Sequence, residues 1–208
     1  MLKETPGVVQ NNTITKIFSM NLQKIDHKNF YYPPGGILIW ILISLELITF
    51  GAALIALVFM SKENPELFHK SRLMLNPTFG ATNTVFLLVS GFFMATTVHL
   101  FKSGNFKKAS LYLNLTMIGG VLFLILKSIE YYHKIETGLV LDYNTFFTFY
   151  WLLTGFHVIH VLVGLIILTY FKFTLKKLET EDLEAGAAFW HMCDLIWLLL
   201  FPVIYLIV

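Results

Sequence analysis

The last twenty residues, FWHMCDLIWLLLFPVIYLIV from Phe189 to Val208, place His191 and Asp194 three residues apart inside an apolar stretch long enough to cross a bilayer. A charged side chain near hydrocarbon gives up hydration worth roughly 2.5–3.5 kcal/mol on insertion scales, so such groups face protein, water or a partner subunit. Polar groups of this kind recur in four of the five apolar runs of the chain. The sequence therefore reads as a membrane protein with a polar seam in its interior.

Composition points the same way. Hydrophobic residues make up 56% and charged residues 13% of the chain, with a mean hydropathy of +0.69, against about 25% charged in soluble domains. A length of 208 residues allows one domain, and spans of about 20 residues each use most of it, leaving no soluble catalytic domain. The net charge of +2 is too small to argue for a nucleic-acid partner, and the basic residues lie in short loops and not in one stripe, so none is expected. The single cysteine, Cys193, lies inside the last run, where it rules out an intramolecular disulfide and reads as a small packing residue.

The expected fold class is all-α, a polytopic transmembrane helix bundle with five spans at about Gly35–Met60, Phe79–Phe101, Leu111–Tyr132, Phe146–Phe171 and Ala187–Val208. A polar N-terminal tail, residues 1–34, precedes the transmembrane domain, residues 35–208. No small-residue cleavage site follows the first apolar run, so it is a retained span and not a signal peptide. In the tail, Ile14, Ile17, Phe18, Leu22 and Ile25 recur at helical spacing beside Lys16 and Lys24. Two readings stand for it: a helix lying along the membrane surface, or a disordered tail. The stretch KKLETEDLEAG, Lys176 to Gly186, reads as a solvated charged loop.

Orientation follows from the basic residues. The tail, second loop and fourth loop hold ten of them: Lys3, Lys16, Lys24, Lys28, Lys102, Lys107, Lys108, Lys172, Lys176 and Lys177. The first and third loops hold four: Lys62, Lys70, Arg72 and Lys134. Because basic flanks stay in the cytoplasm, the N-terminus is expected inside and the C-terminus outside.

Within the spans, Glu46 in IWILISLELITF sits near mid-membrane, where an isolated carboxylate requires a proton or a partner. It reads either as a proton-handling group or as a hydrogen-bonded link between helices. Lys127 and Glu130 in LKSIEYYH are spaced for an ion pair on one helical face near the outer surface. His157 and His160 in TGFHVIHVLVG, and His191 and Asp194 in the last span, share that i, i+3 spacing. Carboxylates and imidazoles so placed can bind metal in a helix bundle, and either His157 or His160 could be an axial haem ligand. However, a di-iron site needs four carboxylates and two histidines together, and Glu46, Glu130 and Asp194 fall at different depths. Structural hydrogen bonding is the preferred reading, with no metal or haem bound by this chain. Gly51 with Ala52 and Ala53, Gly91 with Ala95, Gly119 with Gly120, and Gly155 with Gly164 suggest close helix contacts, while Trp151, Trp190, Tyr131 and Tyr132 read as interfacial anchors.

In this order the pieces resemble subunit III of the haem-copper oxidase superfamily, the cytochrome c oxidase subunit 3 family. The motifs are WILISLELITFG (Trp40–Gly51), ATNTVFLLVSG (Ala81–Gly91), LKSIEYY, FFTFYWLLTGFHVIHVLVG (Phe146–Gly164) and FWHMCDLIWLLLF (Phe189–Phe201). The resemblance covers nearly everything after the tail and is closest to the short, five-helix bacterial form.

It implies a non-catalytic accessory subunit in the bacterial cytoplasmic membrane. Haem and copper belong to partner subunits, and this chain packs on the catalytic subunit I, holds structural phospholipid and supports proton uptake and complex lifetime in aerobic respiration. By motif position, Glu46 resembles the family's membrane-embedded acidic residue at the lipid cleft, His157 and His160 its histidine pair, and His191, Asp194 and Trp197 its WHxxDxxW box. WHMCDLIWLLLFP and the lack of a glycine between the two histidines also resemble the accessory E subunit of nitric oxide reductase, so nitric oxide stands as the alternative acceptor. A free-standing transporter or channel is the distant alternative; no inverted repeat or paired broken helices support it.

Overall fold

In the computed structural model of the chain, residues 33–207 are described. The tail around Ile14 to Ile25, for which a surface helix and a disordered segment are both open readings, lies outside them. Five long helices and one short one form the described part: α1 (Ile37–Glu63), α2 (Pro65–Leu73), α3 (Pro77–Lys102), α4 (Phe106–Glu136), α5 (Thr145–Thr174) and α6 (Thr180–Pro202). All but α2 are long and apolar enough to cross a bilayer, so the chain is a multi-pass membrane protein.

Three of the helix starts are written in asparagines. The Asn76 side chain accepts from the Thr78 amide at 3.0 Å, Asn105 from Lys108 at 3.3 Å and Asn144 from Phe147 at 3.0 Å. Each satisfies an amide that the first helical turn leaves open. Pro65 and Pro77 each open a helix, where their missing N–H costs nothing. The first loop thus contains α2, whose Phe68 packs edge-on against Phe146 of α5.

The spans also start earlier or end later than the apolar runs suggest, because a helix continues through polar flanks once capped. The largest shift is at α6, which begins at Thr180 instead of Ala187. Much of the expected solvated loop is therefore helix: Leu183 is buried and Glu184 pairs with Lys102 of α3. At its other end α6 stops at Pro202, which cannot donate to the helical ladder, and the chain continues as a π-helical turn over Val203–Ile207. That wider turn carries Tyr205 into the core, where it is 1% exposed.

Helix α6 is the hub, packing along α1, α3 and α5, while α3 also runs along α4. Its Trp190, expected as an interfacial anchor, is instead fully buried. The indole fills the space left by Gly120 of α4 and Gly164 of α5, where a Cβ at either glycine would run into the ring. The indole donates to Ser90 Oγ at 3.1 Å, and that hydroxyl donates to the Thr116 carbonyl at 2.8 Å. By contrast, no close neighbour stands over Gly51 or Gly155 among the described residues, so those two do not mark helix crossings.

Candidate functional site

One face of α5 carries Tyr150, Thr154, His157 and His160, spaced by three and four residues, and all four are buried. Polar groups from α1, α4 and α6 meet this stripe at successive levels.

At the level of His160 the partner is Glu46 of α1. Its Oε2 lies 3.4 Å from His160 Nε2. On the other side of the ring, Nδ1 is 2.8 Å from the Phe156 carbonyl. A carbonyl can only accept, so Nδ1 carries a hydrogen. Neutral imidazole then presents a bare nitrogen at Nε2, and a carboxylate facing it would set lone pair against lone pair. The contact becomes attractive when one proton lies on either the carboxyl or Nε2. Phe50 and Phe156 stand edge-on to the imidazole at 5.8 and 4.6 Å between centroids, and Phe189 stacks at 6.4 Å. These rings exclude water from the histidine side. The Glu46 side chain is 24% exposed, so the pair opens onto the outer surface of the bundle beside α1.

Toward the other end of α5 lies a closed network. Lys127 Nζ donates to Glu130 Oε2 at 3.0 Å and to the hydroxyls of Tyr205 and Tyr150 at 2.8 and 3.3 Å. Both hydroxyls donate in turn to Glu130 Oε1, at 2.6 and 3.0 Å. The ammonium also sits 4.9–5.4 Å from the ring centroids of Tyr131, Tyr150, Trp197 and Tyr205. The expected Lys127–Glu130 pair is present, and both side chains are almost completely buried, at 1% and 3% exposure. A buried pair is tolerable when further hydrogen bonds satisfy its remaining donors and acceptors, which the two tyrosines do here.

His157 lies between these levels. It stacks on Trp197 at 5.4 Å and meets Phe123 edge-on at 5.5 Å, and neither ring nitrogen has a hydrogen-bond partner among the described residues. Though three residues apart on one helix, the two histidines therefore have different surroundings: His160 is paired and His157 is enclosed by aromatic rings.

The His191, Asp194 and Trp197 box is not one unit. His191 Nδ1 and Asp194 Oδ2 are 3.4 Å apart on α6, and the carboxylate lies over Gly91 of α3. His191 is 45% exposed on the side chain, so it faces away from the core. Trp197 turns inward, donating to Thr84 Oγ1 at 3.0 Å and packing on Phe123 and His157. The i, i+6 step from His191 to Trp197 is long enough in angle to separate the two sides of the helix.

Two apolar grooves flank the first half of α1. One, of about 480 Å³, lies between Trp40, Ile43, Ala95 and Met192, with His191 and the Lys102–Glu184 pair at its rim. The other, of about 580 Å³, lies between Leu42, Ile167, Phe171 and Phe189. No three His, Cys, Asp or Glu side chains gather within metal-binding reach among the described residues.

The sequence did not single out Tyr150 and Tyr205 as partners of the ion pair. Tyr150 carried a signal, since it falls on the α5 stripe with His157. Tyr205 carried none, because its inward turn depends on the π-helical segment.

Comparison with known proteins adds the family. The profile of the family "Cytochrome c oxidase subunit III" matches residues 41–208. Cytochrome c oxidase subunit 3 of Osphranter robustus is 32% identical over 128 residues, which is 59% of this chain and 48% of that protein. The chain thus spans about half the length of that relative. Cytochrome c oxidase subunit 3 of Corynebacterium diphtheriae is 28% identical over 175 residues, covering 80% of this chain and 85% of the relative. Cytochrome bo(3) ubiquinol oxidase subunit 3 of Buchnera aphidicola is 27% identical over 201 residues, covering 94% and 95%. With the profile running through α1 to the C-terminal turn, the chain belongs to the cytochrome c oxidase subunit III family.

Proposed function

We propose that this chain is the non-catalytic subunit III of a membrane haem-copper terminal oxidase in a bacterial cytoplasmic membrane. In that reading it packs on the catalytic subunit, which carries the haem and copper, and the complex reduces oxygen with electrons from cytochrome c or a quinol. The N-terminus lies in the cytoplasm and the C-terminus outside, as the distribution of basic residues favours.

The observation that carries the reading is family membership over residues 41–208. The internal chemistry agrees with a supporting role. The Lys127–Glu130 network is closed on itself by Tyr150 and Tyr205. It holds α4, α5 and the C-terminal turn together. The two grooves beside α1 have the apolar walls that acyl chains require, which supports a lipid-holding role. Glu46 and His160, 3.4 Å apart at the bundle surface, place a carboxyl against an imidazole beside those grooves, which supports a proton-handling role.

Deleting this chain from its host complex tests the proposal. The remaining complex should keep its haem spectrum and initial oxygen consumption while losing activity over successive turnovers. A complex that loses haem or all initial activity despite intact assembly would contradict the accessory role, and one that consumes nitric oxide in place of oxygen would contradict the acceptor.

A further inference from the structure

A third groove, of about 710 Å³, lies where α4 begins and α5 ends. Lys107 of α4, Lys172 of α5, and Lys176 and Lys177 of the following link line it, together with the Ser110 and Thr174 hydroxyls. No carboxylate contributes to its walls among the described residues. None of the four lysines has an ion-pair partner among those residues, whereas Lys102, at the rim of the groove beside α1, is matched by Glu184. We propose that this basic groove is a binding site for the phosphate headgroup of an anionic phospholipid.

The charge balance selects the lipid class. A zwitterionic headgroup brings an ammonium with its phosphate, and the groove offers that ammonium four cations and no acid. An anionic glycerophospholipid brings negative charge alone, and basic pockets between membrane helices on the cytoplasmic side suit such headgroups. The position favours a lipid over a soluble anion. Phe106 and Phe173 stand at the groove, 39% and 82% exposed, and add apolar ring surface beside the lysines where a lipid's glycerol and first methylenes would lie. Further into the spans, α4 exposes Leu111 and Ile118 and α5 exposes Ile166, giving acyl chains an apolar surface next to the bound headgroup. The site is separate from the grooves beside α1. It needs only that α4 and α5 span the bilayer, not that the chain serves an oxidase.

The full-length chain, purified in neutral detergent and stripped of lipid, is mixed with equal amounts of phosphatidylglycerol and phosphatidylcholine, and bound lipid is read by native mass spectrometry. The wild type should retain phosphatidylglycerol in preference, and Lys107→Gln, Lys172→Gln, Lys176→Gln and Lys177→Gln together should reduce that preference by about tenfold or more, since each basic residue near the surface contributes to the attraction. The corresponding four Lys→Arg substitutions should keep it. Lys62→Gln with Lys70→Gln, at the other end of the bundle, should leave it unchanged. Equal retention of the two lipids by the wild type, or an undiminished preference in the folded fourfold Gln variant, would overturn the site. So would displacement of the lipid by millimolar inorganic phosphate, which would make the groove a general anion site.

Discussion

Glu46 Oε2 and His160 Nε2 meet 3.4 Å apart across the contact of α1 with α5, while the far nitrogen of the same imidazole donates to the Phe156 carbonyl. The contact joins two side chains that the sequence places 114 positions apart, with the Nε2 edge of the ring turned to the carboxyl. Glu46→Gln keeps an amide donor for the bare Nε2, so the complex should assemble normally, with turnover slowed or active lifetime shortened at most. His160→Leu leaves the carboxyl facing apolar rings, and the expected cost is about 0.6 kcal/mol, the average for polar contacts between membrane helices, with about 1.7 as the upper end. Thermal midpoints and oxygen-consumption time courses of the two variants check this. Complete loss of chemistry in an assembled, haem-loaded Glu46→Gln complex would place the residue in the catalytic path.

The network around Lys127 predicts strong non-additivity. Glu130→Leu alone strands a buried ammonium and should cost about 3–5 kcal/mol, whereas removing both charges with Lys127→Leu and Glu130→Leu should recover at least half of that. The measurement is a double-mutant cycle by thermal or denaturant unfolding in detergent. Additive losses would show that the pair is not coupled as its geometry requires.

Packing around Trp190 separates two sets of glycines. Gly120→Val and Gly164→Val push against the indole and should each destabilise by about 1–3 kcal/mol, as overpacked cores do. Gly155→Ala meets open space and should be neutral or slightly stabilising, because alanine is the better helix former by about 1 kcal/mol. Melting temperatures of the three variants suffice.

Asp194 should matter for assembly and not for chemistry. With its Oδ2 near His191 and no partner for Oδ1 among the described residues, Asp194→Asn should behave nearly as wild type. Asp194→Leu should release the chain from its complex at lower detergent concentration. If the leucine variant stays assembled as firmly as wild type but loses activity, the pair has a functional role.

Orientation is open to a direct test, because the one native thiol, Cys193, is buried. Asp142→Cys, in the loop before α5, should react with a membrane-impermeant maleimide added to intact cells. Ser103→Cys, between α3 and α4, should react only after permeabilisation. The reverse pattern would invert the topology.

The five spans were legible because uninterrupted apolar runs of this length have few other folds available, and the Lys127–Glu130 and His191–Asp194 pairs were legible because each lies within one helix. The Glu46–His160 contact was not, since periodicity fixes a residue's face but not which helix that face meets. Trp190 shows the same limit: Gly120 and Gly164 marked a close approach, yet nothing local said that an indole from a third helix fills the gap. The early start of α6 was missed for another reason. Its first two turns are charged, and their burial depends on Lys102 and Phe171, which lie on other helices.

The central claim, that this chain serves a haem-bearing partner and carries no haem itself, is tested most directly by purifying it through an affinity tag under mild detergent and recording the visible spectrum before and after dissociation. The account predicts a complex with haem absorption and oxygen consumption, from which this chain separates colourless and without stoichiometric iron or copper. A chain that arrives with no haem-bearing partner, or keeps one metal per chain that His157→Ala or His160→Ala removes, would contradict it.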